Sequence, residues 1–393
     1  MRMSELRSMR VFLHLAMATA IFPIVGIEYL SRSVALSIST AVVVFGALLF
    51  GFQSRWVLWI FPAAMAATAL WSADWLFTLL SAGSLFVPVV LAGIVVRVSG
   101  PVRFINTLAI WARIAVLVSL AAFVFLPEVG AHQDVLYDGA LRGIFVHKNG
   151  MARILVVGVF AELFSQERAV ARWLWLGVYL AAGVLTESLS FLVLSGMFAG
   201  AAWVLRKVKW DDRHSSLAWL GIGHIVAAVG VVIAVIYGPE MIDSTGRFSD
   251  SEGRGRIWAG VLTAFSVKPL GGWGYGMVFR AETEAGEIIR AASSWTPTAA
   301  HNGYLNALAE GGLLGLGALV ASLALGMVVT WKSRRHLLWP LAYALVMPLN
   351  NLTDTRTSSL ELFVFSAGVI YASVAQNAES YPGLPEPDPA PVT

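Results

Sequence analysis

Long apolar blocks, broken by charges at intervals, run along almost the whole of this chain. Blocks of roughly 18 or more apolar residues cross a bilayer as helices, because lipid offers no partner to an unpaired backbone group. The chain is 58% hydrophobic and 13% charged. An average soluble domain carries about 25% charged residues, so a single soluble core cannot absorb this apolar surface. The pattern predicts an all-α integral membrane protein with about twelve transmembrane helices. They fall near 11–29, 34–52, 56–71, 75–96, 108–126, 150–164, 173–186, 190–205, 217–237, 312–331, 337–350 and 360–376. The stretch 173–205 reads either as one long helix or as two short ones around Thr186, Glu187 and Ser188.

Basic residues set the orientation, since Lys and Arg gather on the cytoplasmic side. With the N-terminus inside, twelve spans put fifteen basic residues in the cytoplasm, among them Arg97, Arg172, Arg206, Lys207, Lys332 and Arg334. The four short outer loops then carry only Arg32 and Arg356. A single span at 173–205 reverses the later loops and moves Lys332, Arg334 and Arg335 outside, so two spans are expected. The first segment reads as a span and not as a cleaved signal, being long and followed by no small-residue cleavage site. A polytopic domain is expected over 1–376, with 377–393 as a disordered cytoplasmic tail rich in proline and acid. The chain has no cysteine, which excludes disulfides, thiolate metal ligands and a cysteine nucleophile. A net charge of +3 is too small to suggest a nucleic-acid partner.

Two outer loops, Pro127 to Asn149 and Gly238 to about Ala300, exceed connection length and are expected to be functional. The larger holds six basic residues, Arg247, Arg254, Arg256, Lys268, Arg280 and Arg290. From Gly253 a helix is expected to run to about Ser266, with Ile257, Val261, Leu262 and Phe265 on one face. Such a helix would lie on the membrane surface, with Trp258 at the interface. The glycines of Pro269-Leu270-Gly271-Gly272-Trp273-Gly274-Tyr275-Gly276 then break it. Further on come Ala300-His301-Asn302-Gly303-Tyr304-Leu305 and Glu310-Gly311-Gly312. The first long loop offers Arg142-Gly143-Ile144-Phe145-Val146-His147-Lys148-Asn149.

These segments, in this order over residues 137–350, resemble the O-antigen ligase and polysaccharide polymerase family. The segment from Arg142 to Asn149 is similar to exopolysaccharide polymerases of that family. The resemblance implies a metal-independent membrane glycosyltransferase, without cofactor, in the bacterial inner (cytoplasmic) membrane with its active site facing the periplasm. Its implied substrates are an undecaprenyl-diphosphate-linked glycan and an acceptor glycan, with the lipid bilayer, a flippase and a chain-length regulator as partners. One departure stands out. Ligases of the family often carry an arginine after serine in a Thr-x-Ser-Arg segment, and Leu189 occupies that place in Thr186-Glu187-Ser188-Leu189. This leans the reading towards a polymerase, with Arg142 or Lys148 to supply the missing charge.

A lipid diphosphate leaving group needs its developing charge stabilised by a metal or by arginines. The outer loops hold no acidic cluster with ligand spacing, so arginine is expected, and its fork matches phosphate oxygens. Arg254 and Arg256 are placed at a helix start, where partial positive charge adds to theirs. The acceptor hydroxyl needs a base near neutral pH, which favours His301, then His147; His132 lacks supporting context. Arg142, His147, Lys148, Asn302, Tyr275 and Trp273 complete the expected substrate contacts. The bland readings stand beside these: solvated loop charges for the arginines, a helix cap for His301-Asn302, and an interfacial anchor for His147-Lys148-Asn149. Arg113, Arg153 and His224 fall inside expected spans, where ionisable groups are functional candidates. The alternatives are a ligase acting on lipid A core or protein, and a transporter or flippase for a lipid-linked glycan.

Overall fold

A computed structural model describes residues 3–25, 32–133, 137–208, 249–295, 297–334, 337–353 and 359–378. The described residues form helices: α1 (Met3–Val25), α2 (Arg32–Phe50), α3 (Ile60–Ala67), α4 (Trp75–Val98), α5 (Pro101–Phe125) and the single turn α6 (Pro127–Gly130). Then follow α7 (Lys148–Phe164), α8 (Ala169–Leu185), α9 (Leu189–Lys207), α10 (Ser249–Val267), α11 (Glu284–Ser293), α12 (Gly303–Lys332), α13 (Leu338–Thr353) and α14 (Ser359–Ala378). Short 3-10 turns, Trp56–Leu58 and Thr68–Leu70, flank α3. Helices coincide with every expected span except 217–237, which lies outside the described residues, as does the tail beyond Ala378. Among the described residues, α4, α5, α9 and α12 are long and apolar enough to cross a membrane.

The stretch 173–205 is two helices. Thr186 caps α8 and donates from its hydroxyl to the Gly183 carbonyl, and Glu187 turns the chain at φ 51°. Both helices pack on α7, and α9 also packs on α13. α14 is central, touching α1, α4, α12 and α13. Aromatic rings lock the centre: Phe104 of α5 meets Trp339, Phe363 and Tyr371 at 5.4, 5.7 and 5.7 Å. The buried Tyr371 hydroxyl pairs with Ser99 at the end of α4, as a polar group removed from water must.

At the end expected to face the cytoplasm, basic residues close helices. Arg97 donates to the carbonyl of Phe50, the last residue of α2, at 2.9 Å. Arg172 and Arg206 donate to Ser165 and Leu163 at the end of α7, and Arg334 to Trp331 at the end of α12. These helices finish at this end with orphan carbonyls, which cations complement. Arg113, in mid-α5, forks onto buried Glu162 at 2.7 and 2.8 Å and reaches Glu167 at 3.3 Å. It therefore has a structural partner within the bundle. His224 lies outside the described residues.

At the other end, α10 and α11 build a small second core of Ile257, Val261, Ala264, Trp273, Val278, Ala285 and Ile289. The α10 face expected to rest on lipid is thus covered by α11, and Leu262, assigned to that face, is exposed. Trp258 is held by an indole bond to the Ala300 carbonyl at 2.8 Å.

The glycine-rich turn and the start of α12 form one joint. α12 is broken at Gly312, whose φ and ψ are 61° and −156°. Four backbone groups around the break pair with the turn. Trp273 and Gly274 donate to the Ala309 and Glu310 carbonyls at 3.1 and 2.9 Å, and Leu313 and Leu314 donate to Pro269 and Leu270 at 2.9 and 3.2 Å. A Cβ on Gly312 would stand 2.3 Å from the Leu270 carbonyl oxygen, and one on Gly272 would stand 2.5 Å from the Glu310 carbonyl carbon. Glycine is required at both places by positive φ and by close approach. The expected span 312–331 begins at the break.

Candidate functional site

The cavity that stands out lies where helix ends meet near the α10–α11 core. α7 contributes Asn149, Ala152, Arg153 and Val156 to its wall. The α8–α9 turn and α9 bring Ser188, Ser190, Phe191 and Leu194, and α10 brings Arg254. α13 adds Tyr343, Met347 and Asn350, and the first turn of α14 adds Glu361. The deeper wall is apolar, with Phe198 and Tyr343 stacked at 5.6 Å. Two guanidiniums, one carboxylate, two carboxamides and two serine hydroxyls therefore belong to the lining of one amphiphilic cavity. Helical sequence delivers them there because Asn149, Arg153 and Val156 repeat at three- and four-residue spacing, one stripe of α7.

Of the residues expected to form the site, Arg254 lines this cavity. Arg256 is exposed two residues on and is not part of the wall. α10 starts at Ser249, so both arginines stand in its second turn, not at its first. The helix-end field fades within one turn, and the charge at this place is their own.

His301, half-buried at φ 52°, precedes Asn302, whose side-chain oxygen caps α12 by accepting from Tyr304 and Leu305 at 3.0 and 3.1 Å. This end of α12 leans on the end of α13: Tyr304 donates to the Pro348 carbonyl at 2.9 Å. A Cβ on Gly303 would meet Asn351 Oδ1 at 2.4 Å. His301 is thus beside the chain that carries Asn350, without being among the residues of the cavity wall.

The remaining expected residues have local tasks. Arg142 donates to the Ala131 and Glu128 carbonyls, both at 3.0 Å, and pins its own loop. His147 caps α7 by accepting from Asn149 at 3.2 Å. Lys148 is buried, with its ammonium 3.9 Å from the centre of the Tyr137 ring. His132, which had no context in sequence, is buried and accepts from the Lys148 backbone at 2.9 Å. The two imidazoles sit 4.8 Å apart, so the first long loop folds as a cap for α7. Trp273 donates its indole to Ala264 at 2.8 Å under the Lys268 ammonium, and the Tyr275 amide donates to Thr68 at 3.0 Å. Arg280 bridges Glu282 and Asp74 across the face of Phe77, and with its own backbone N–H foremost the Glu282 carboxyl is held below the ordinary carboxylate range.

Sequence reasoning missed Asn350 and Glu361 and left Arg153 without a partner site. The signal for Arg153 was its charge inside a span; Glu361, inside the expected span 360–376, carried the same signal and was passed over, and Asn350 carried none.

Apolar helices packed around a polar, cation-bearing cavity mark a multi-pass membrane protein with a candidate site at one end. The O-antigen ligase family model matches residues 150–320. The chain is 29% identical over 200 residues to an O-antigen ligase of Pseudomonas aeruginosa, a match covering 50% of this chain and 45% of that protein. The chain thus aligns with about half the length of this relative or less. The two matches support the O-antigen ligase and polysaccharide polymerase family.

Proposed function

We propose that the cavity binds the diphosphate of a lipid-linked glycan and that the protein transfers the glycan to a sugar hydroxyl. The reaction is the metal-independent polymerisation of undecaprenyl-diphosphate-linked repeat units at the periplasmic face of the bacterial inner membrane. The observation that carries this reading is the convergence of Arg153 and Arg254 on one cavity. Transfer breaks the bond between the anomeric carbon and a diphosphate oxygen, which leaves with the electron pair. Two guanidiniums offer paired hydrogen bonds to that growing charge. The apolar inner wall suits the start of a prenyl chain, and the serines and asparagines suit sugar hydroxyls.

Arg153 also answers the departure at Leu189. It faces the same space as Ser188 and Ser190 and supplies there the charge that ligases draw from the segment itself. Arg142, bound to its own loop carbonyls, is less suited to that task. This arrangement favours the polymerase. Ligation to another acceptor is the second reading, favoured by the description of the family model and by the name of the Pseudomonas relative. A transporter is expected to bind at the midplane between broken helices, whereas the break in α12 joins the loop-bearing end.

Lipid-linked glycans from a deletion strain separate the two readings. Single repeat units accumulating on the carrier lipid support the polymerase, and intact polymer left on the carrier supports the ligase. With arginines in place of a metal, purified protein should turn over lipid-linked repeats in excess chelator at the rate seen without it. A loss on chelation that magnesium or manganese reverses overturns the arginine mechanism.

A further inference from the structure

We propose that the glycine-rich turn after α10 is seated in the edge of the lipid bilayer. Its lipid-facing surface is formed by Val267 and Leu270 together with Leu70, Trp71, Leu313 and Leu314. The partner is lipid, at the boundary between headgroups and acyl chains. The seat is independent of what the protein transfers.

The turn belongs to the large loop, and its sequence marks it only as a helix breaker. Its depth follows from α12. From Leu313 to Lys332 that helix rises about 30 Å at 1.5 Å per residue, one hydrocarbon thickness. Leu313 and Leu314 therefore stand at an edge of the apolar layer. Their amides donate to the Pro269 and Leu270 carbonyls at 2.9 and 3.2 Å, so the turn shares that level. Trp71 shares it too, with its indole donating to the Gly271 carbonyl at 2.9 Å. An indole, apolar in body and polar at one end, favours this boundary.

The side chains at this level match lipid. Leu70, Leu270 and Leu314 are 86%, 69% and 62% exposed, and Val267 and Leu313 are exposed as well. Surfaces bathed in water rarely gather so many large apolar side chains. The charged residue between Val267 and Gly276 is Lys268, whose ammonium lies 4.0 Å from the centre of the Trp273 ring. A lysine at the interface lays its apolar stem along the boundary and keeps its head among the headgroups. The backbone is also prepared for a dry place. The carbonyls of Lys268, Pro269, Leu270 and Gly271 accept in turn from the amides of Gly272, Leu313 and Leu314 and from the Trp71 indole. A turn in water can leave such carbonyls to solvent, but where water is scarce each needs a partner. α10 is thereby moored by its C-terminal end. The face expected to lie on lipid is covered by α11, and the exposed positions toward its other end, Gly255, Arg256 and Ala259, carry no large apolar side chain.

The test uses single cysteines in this cysteine-free chain. Each carries a nitroxide, in full-length protein reconstituted into nanodiscs of phosphatidylethanolamine and phosphatidylglycerol. Collisions of the nitroxide with oxygen, which concentrates in lipid, are compared with collisions with a water-soluble nickel chelate. At Leu270→Cys and Val267→Cys the ratio of oxygen to nickel collisions should lie well above that at Glu287→Cys, exposed on α11. It should lie below that at Val320→Cys, exposed two turns into the span. Leu70→Cys, which leaves the turn untouched, should give the same intermediate ratio and decides the matter if a label on the turn disturbs its fold.

A ratio no higher than that of Glu287→Cys puts the turn in water and overturns the proposal. Few collisions with either reagent mean that a protein surface covers it, a second copy or another chain, and overturn it equally. A ratio as high as that of Val320→Cys overturns the placement at the boundary.

Discussion

Arg153 occupies the second turn of α7, four residues beyond Asn149, and both reach the same cavity. A guanidinium inside an apolar helix is costly unless it finds partners, and under the proposed function a diphosphate is one of them. Arg153→Lys keeps the charge and loses the planar fork. Its turnover should drop by about 10²–10³-fold, the scale of one lost transition-state donor, with normal protein levels in the membrane. Full activity in both Arg153→Ala and Arg254→Ala would move the diphosphate elsewhere. Spacing in the sequence exposed Arg254 as a candidate, since glycines and a second arginine frame it. Glu361, like Arg153, was a charge inside an expected span, but it lies more than two hundred residues from Arg153 and no pattern joins the two. Only tertiary packing makes the two neighbours, and no local pattern encodes it. At Arg142 a motif marks a residue whose guanidinium also holds loop carbonyls.

Among the elements, α12 shows how a motif can be read for existence and missed for purpose. Its span was expected from 312, directly after Glu310-Gly311, with no break foreseen there. The pairing of the break with the turn at 269–274 was not legible either, because backbone bonds between distant segments leave no periodic trace. The joint predicts a contrast between two glycines of one helix. Gly312→Ala forces a Cβ onto the Leu270 carbonyl at positive φ. It should lower the thermal midpoint of the detergent-solubilised protein, by about 1 kcal/mol for the backbone alone and more for the clash. Gly317→Ala meets open space within the same helix, and should be neutral or stabilising by about 0.5–1 kcal/mol. Equal melting of the two variants would mean that the joint does not bear on stability. The α8–α9 turn was legible too, but through arginine counting and not through its own residues.

For the whole molecule, the decisive property is sidedness. The ends of α7, α9, α13 and α14 that carry the cavity all belong to the face on which twelve alternating spans put the long loops. The arginines that close α2, α7 and α12 mark the opposite face. The natural absence of cysteine makes this directly measurable. Glu287→Cys, exposed on α11, should react with a membrane-impermeant thiol reagent in cells with a permeabilised outer envelope. Gln166→Cys, exposed between α7 and α8, should react only after lysis. The reverse pattern rejects the orientation.

The break in α12 also bears on how the chain is made. From Leu313 to Lys332 the helix rises about 30 Å at 1.5 Å per residue, one hydrocarbon thickness. The residues before the break therefore have no membrane to cross. They are translated after the turn that pairs with them. The span from Leu313 to Lys332 can thus form as an ordinary helix, and its front end is completed by a clasp made before it. Biosynthesis thus assembles the outer face of the protein from both sides of one helix, and the site beside it cannot be finished until the chain beyond Ser359 has emerged.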